Sequence, residues 1–148
     1  MVDEGELKYW RDAGHVARRT LEAMKLELEP GKSFHEIIES AERFIHRHGG
    51  KPAFPATIAA NDLAAHFTTN HLIEDVEGWQ SSMILEKGDL VKIDYGVHIK
   101  GHIGDNAMSV EIGNGNNHTE QIKAAKEARD AAIEVMHPGT PWWKVGAA

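Results

Sequence analysis

Two aspartates, Asp94 and Asp105, sit inside a stretch that otherwise reads as a pair of strands, GDLVKIDYGVHIKGHIGDNAMSVEIG from Gly88 to Gly113. Leu90 and Ile93 on one side, and Ile103, Met108, Val110 and Ile112 on the other, alternate closely with polar residues, the pattern of half-buried strands. The Lys100-Gly101 region supplies the reversal between them. Aspartate is depleted in strands, so two of them in one hairpin need a reason. If the hairpin folds about the Ile99–Lys100 bond, Asp94 and Asp105 are direct cross-strand partners on one face, with Cβ atoms about 4.5–5.5 Å apart. Carboxylates that close repel unless one is protonated or a cation lies between them. The chemistry this spacing suggests is a metal site built from oxygen ligands. A hairpin with both aspartates on its wet face, or a register that separates them, would leave them without that role.

The elements that must position this hairpin come before it. Leu7, Trp10, Gly14, Ala17, Leu21, Met24 and Leu28 recur in steps of three and four, which predicts a helix of about six turns with a core-facing stripe. Glu29-Pro30-Gly31 ends it. Ser33 and Glu36 have the spacing of a capping box and open a second helix with Phe34, Ile37, Ile38, Ala41, Phe44 and Ile45 on its buried side. Gly49-Gly50 closes that helix, one of the two as a left-handed cap. Pro52 and Pro55 forbid a helix or a central strand in the next segment, KPAFPATIAANDLAAHFTTN. His66 follows Ala64-Ala65 there and precedes Phe67. Read alone, it is either a core histidine or a ligand or catalytic group. Asn70–Lys87 reads as a polar loop around Trp79. Beyond the hairpin, Gly113–Asn117 lacks the third glycine and the βαβ frame of a dinucleotide fingerprint, so it reads as a loop and no nucleotide site is expected. Thr119 is expected to cap a third helix with Ile122, Ala125, Ala132 and Val135 inward, ending at His137-Pro138-Gly139. A new helix start follows at Pro141-Trp142-Trp143.

Helix, Pro-Gly, helix thus occurs twice, and Pro30 and Pro138 lie 108 residues apart. At that offset Phe34 matches Trp142 and Ile37 matches Val145, a faint repeat that suggests duplication. The expectation is one incomplete domain over residues 1–148: a first repeat over about residues 5–115 and the start of a second over about 118–148. The parent protein would then be nearer about 260–300 residues.

Composition narrows the function. The 148 residues carry 16 Lys and Arg against 23 Asp and Glu, a formal net charge of −7, which gives no electrostatic case for nucleic acid or an anionic membrane. There is no cysteine, which excludes disulfides, thiol nucleophiles and cysteine-based zinc sites. No apolar run approaches the roughly 20 residues that span a bilayer, and the N-terminus lacks the apolar core of a signal peptide. A cytoplasmic location is the expectation.

Three segments resemble the type 2 methionine aminopeptidases of the archaeal form: KPAFPATIAANDLAAHFT, LVKIDYGVHIKG and HIGDNAMSVEIG. The resemblance runs over most of residues 5–140, and the AAHFT segment is its more specific part. It implies an α+β pita-bread fold, here its N-terminal half, with helices packed on a curved antiparallel sheet. It implies metal-dependent removal of the initiator methionine from nascent chains. The cofactors would be two divalent ions (Co, Mn, Fe or Zn), with Asp94 on one ion and Asp105 bridging both. His66 would lie beside the substrate methionine. The family's remaining ligands, one histidine and two glutamates, would fall beyond residue 148, so this chain alone is expected to be inactive. The partner would be a peptide or nascent protein beginning with methionine, and the faces left open by the missing half would favour self-association. Two departures stand out. Asn106 replaces the threonine or cysteine usual after the second aspartate, which bears on how the metal's surroundings are tuned. Thr69 replaces a proline. A non-catalytic relative, a binding or scaffold module on the same fold, is the alternative reading.

Overall fold

The computed structural model describes residues 3–69, 83–113 and 115–148, in two compact units, Met1–Gly115 and Asn116–Ala148. The expected loop around Trp79 falls largely outside the described residues. Within the first unit, helix α1 spans Glu4–Glu27 and helix α2 spans Phe34–Arg47. Asp3 caps α1, its carboxylate accepting from the Gly5 amide at 2.9 Å. The capping box on α2 is complete: the Ser33 amide donates to Glu36 Oε2 at 2.7 Å, and the Glu36 amide donates to Ser33 Oγ at 3.2 Å. Gly49 closes α2 at φ +80°, a conformation open to glycine at little cost.

Four strands follow: β1 (Lys51–Pro52), β2 (Thr57–Ala60), β3 (Leu90–Ile99) and β4 (His102–Glu111). All pair antiparallel to β3. β4 covers one edge of β3 along its whole length, while β2 and then β1 share the other. Pro52 is tolerated because β1 is two residues long and lies at the margin of the sheet. Among the described residues this is the helix-on-antiparallel-sheet class expected from the sequence.

The hairpin register corrects one expectation. Lys100 and Gly101 both take positive φ, +50° and +85°, so they form the two-residue turn between Ile99 and His102. Gly96 therefore faces Asp105, and Asp94 faces Ala107. The two aspartates are diagonal neighbours rather than direct partners. They remain on one face, because the register differs from the expected one by two residues and the side-chain period of a strand is two.

The other face is the core. Val91, Ile93, Tyr95 and Val97 are completely buried, the first three packed with Met24 and Ile37 of the helices and Ile58 of β2, and Val97 with Val16, Ala17 and Ile45. α1 buries Ala13, Val16, Ala17, Thr20, Leu21 and Met24, while Leu7 and Trp10 are 38% and 45% exposed, against the expected stripe. The reason is close approach. A Cβ on Gly104 of β4 would lie 2.5 Å from the Gly14 amide nitrogen, so only small residues fit where α1 crosses the sheet. Trp10 instead sits edge-on to His102, with ring centroids 5.2 Å apart.

Two buried side-chain polar atoms lack a hydrogen-bond partner among the described residues, Tyr95 Oη and Asp94 Oδ1. They lie on opposite faces of β3. The tyrosine hydroxyl points into the core, and burial pushes its ionisation far up. An unpaired buried hydroxyl costs about 1–3 kcal/mol, and phenylalanine keeps the ring. Tyr95→Phe should therefore raise stability by about 1 kcal/mol in urea unfolding.

In the second unit, α3 spans Thr119–Val135 and α4 spans Trp142–Val145. Thr119 is the first helical residue and His118 takes the cap position, one residue earlier than expected. No residue of α3 is buried: Ile122, Ala132 and Val135 are half-buried and Ala125 is exposed, so the expected inward face is only partly covered. Pro141 precedes α4, and Ser33, 108 residues earlier, precedes α2.

Candidate metal site

Asp94 lies at the middle of the sheet, between Thr57 of β2 and Ala107 of β4. Its strand can hold a carboxylate because the face it points to, shared with Lys92, Gly96 and His98, is not the face the helices cover. Burial still raises the affinity of Asp94 for a proton, and the Asp105 charge and a hydrogen bond with Asp105 add to the effect. The nearby His66 imidazole opposes it. The structure thus brings the three sequence-predicted residues into one electrostatic neighbourhood. Asp94 is half-buried, and Asp105 and His66 are exposed.

Asp94 Oδ1 is the test of whether a metal fits. A buried carboxylate oxygen with no donor, beside a second carboxylate, is a costly arrangement unless a proton or a cation completes it. Two hard oxygen donors suit Mg, Mn and related divalent ions. The residues present fit a metal ion as part of its ligand set. Among the described residues no group of three or more His, Asp or Glu side chains is placed to hold one.

His66 ends the loop that follows β2, at φ +61°. A non-glycine residue there costs of order 1–3 kcal/mol and persists only where its surroundings impose it. The flanking strand imposes it in part. The Ile58 amide donates to Phe67 O at 3.0 Å and Thr68 Oγ1 donates to Ala56 O at 2.7 Å, so the chain just past His66 is tied to β2 and the segment before it.

Phe54 is a site residue that sequence reasoning missed. Its ring lies over Gly96, where an added Cβ would come within 2.1 Å of Phe54 Cε1. Gly96 faces Asp105 and is two residues from Asp94 on the same face, so Phe54 forms an apolar wall beside the carboxylates. The signal was available: a glycine two positions past Asp94 inside a strand marks close approach by another group. Asn106 behaves differently from the expectation. It faces Tyr95 across the ladder, on the core side of β4, so alternation carries its side chain away from the Asp105 carboxylate.

The chain is similar in sequence to archaeal methionine aminopeptidases. The methionine aminopeptidase of Pyrococcus horikoshii is 39% identical over 137 residues, and that of Archaeoglobus fulgidus is 37% identical over 137 residues. In both cases the match covers 93% of this chain and 43% of the relative, so the chain spans less than half the length of these two relatives. Among solved structures, the prolidase from Pyrococcus horikoshii superposes with a TM-score of 0.80 at 27% identity, over 97% of this chain and 39% of that one. The helix-on-sheet arrangement is that of the pita-bread aminopeptidases and prolidases. The sequence profile of metallopeptidase family M24 matches residues 8–148, and the chain belongs to that family.

Proposed function

We propose that the chain is part of a methionyl aminopeptidase of the archaeal type 2 form, which removes the initiator methionine from peptides and nascent proteins. The observation that carries this reading is the orphaned Asp94 Oδ1 beside Asp105 on the open face of the sheet, in a chain whose archaeal relatives are methionine aminopeptidases. Asp94 and Asp105 would hold the metal, two ions of Co, Mn, Fe or Zn, together with donors outside the described residues. Divalent ions bound there would polarise the scissile carbonyl and make a water nucleophilic at neutral pH. Phe54 would pack against the methionine side chain and keep water from it. His66 would donate to the carbonyl oxygen where charge develops.

The remaining ligands, a histidine and two glutamates, would come from the part of the family's length that this chain does not span. The 148 residues alone would then bind metal incompletely and release no methionine. The test is release of methionine from Met-Ala-Ser in the presence of Mn or Co. Activity of the chain alone would overturn its dependence on further sequence. A longer form that cleaves Ala-Pro in preference to Met-Ala-Ser would overturn the methionine reading in favour of a prolidase, the reading favoured by the prolidase superposition.

A further inference from the structure

Every residue from Asn61 to His66 is exposed, so burial does not hold the loop that carries His66. Hydrogen bonds to the sheet do. The Asn61 side chain bridges two partners, donating to Asp89 Oδ1 at 2.8 Å and accepting from the Leu90 amide at 3.0 Å. Asp89 in turn accepts from the Glu86 amide at 2.8 Å, which fixes it at the entrance to β3. The Asn61 amide donates to Leu90 O at 2.9 Å. Lys92 completes the set. Its ammonium donates to Asn61 O at 2.7 Å and also to Leu63 O, spanning two carbonyls of the same turn. Lys92 stands two residues before Asp94 on the same face of β3, so the strand that carries the carboxylate also carries the group that ties down the loop.

We propose that Lys92 is a positioning residue that sets the His66 loop against the Asp94 face, with Asn61 as its anchor. This deepens the reading of His66 as a substrate-side group and rests on it for its catalytic meaning. A lysine suits the task because one ammonium offers three donors on a flexible stem, and two carbonyls separated by one residue can share it. Without that ammonium Leu63 O would face solvent, and the turn carrying His66 would be tied only at its ends, through Asn61 and through Phe67 O and Thr68 Oγ1.

The test uses the 148-residue chain, two variants and NMR. Lys92→Met keeps the stem and removes the donors; Lys92→Arg keeps the charge and the donors. In Lys92→Met, amide exchange at Leu63, whose N–H donates to Ala60 O at 3.0 Å, should rise at least about tenfold. Val91 and Ile93 exchange should stay at the parent rate, which shows that the fold is intact. The His66 ring correlation should move toward that of a free imidazole in Lys92→Met and stay near the parent position in Lys92→Arg. An unmoved His66 correlation in a folded Lys92→Met variant overturns the proposal. No peptide is cleaved in this experiment, so failure of the methionine reading in the Met-Ala-Ser assay would leave the latch standing, and failure of the latch would leave that reading standing.

Discussion

Replacing Gly104 with alanine should destabilise the Met1–Gly115 unit by about 3 kcal/mol, at the upper end of what overpacking costs. The atoms an added Cβ would meet are backbone: Gly14 N at 2.5 Å, Gly14 Cα at 2.6 Å and Ala13 C at 2.7 Å. A flexible side chain could rotate away, but a helix backbone cannot. Relief would require α1 to shift off the sheet, and α1 buries Ala17, Leu21 and Met24 against it. Those contacts would loosen together, so the cost spreads beyond one atom pair. The partner glycine should behave in the opposite way. A Cβ on Gly14 meets nothing within 4 Å, and Gly14 lies inside a 24-residue helix. Alanine is about 1 kcal/mol more favourable than glycine in a helix interior, so Gly14→Ala should stabilise the unit by up to about that amount. Urea unfolding of the two variants beside the parent reads both effects. A Gly104→Ala variant within about 1 kcal/mol of the parent would mean that α1 does not press on β4 as the structure shows.

The contrast between these glycines also shows what the sequence could reveal. Periodicity found α1 and α2 because apolar residues recur along them, and capping chemistry placed the start of α2 at Ser33. It assigned Leu7 and Trp10 inward because a hydropathy pattern rewards size. The crossing at Gly104 rewards smallness, and its partner lies some ninety residues away in the chain, where no local pattern can see it. β2 was illegible for a related reason. Thr57–Ala60 is four residues of modest strand character, made a strand by pairing with β3. The hairpin was legible in kind and in face, but its register was not. Which two residues form the turn depends on whether Lys100 takes a positive φ beside Gly101, and lysine carries no strong signal for that. The face survived the error because a slip of two keeps alternation intact. Asp94, Asp105 and His66 were legible as candidate site residues. Phe54 was not, since its place beside that face depends on its ring lying over Gly96.

Removing the Asp94 carboxylate should weaken metal binding and stabilise the metal-free protein at the same time. Asp94→Asn takes away one carboxylate of the neighbouring Asp94 and Asp105 pair, and with it one of the two oxygen donors proposed for the metal. Titration with Mn should show affinity reduced at least about 100-fold, equivalent to about 2.7 kcal/mol. The stability effect follows from the same burial. In the folded chain Asp94 holds its proton above its ordinary value of 3.8, through desolvation first and the Asp105 charge second. The folded state therefore binds more protons than the unfolded state between 3.8 and the raised value, so stability falls as pH rises through that window. Below 3.8 both states are protonated and the penalty is absent; above the raised value it is present in full. Asparagine has no such penalty at any pH. The melting temperature of Asp94→Asn should exceed that of the parent at pH 7 without metal, and the gap should close as pH falls toward 4. Adding Mn should reverse the order at pH 7, because at a given concentration the ion stabilises the tighter-binding parent more than the variant. A variant that melts below the parent at pH 7 without metal would mean that Asp94 is held by donors rather than strained by their absence, and the case for a cation at Oδ1 would fall with it.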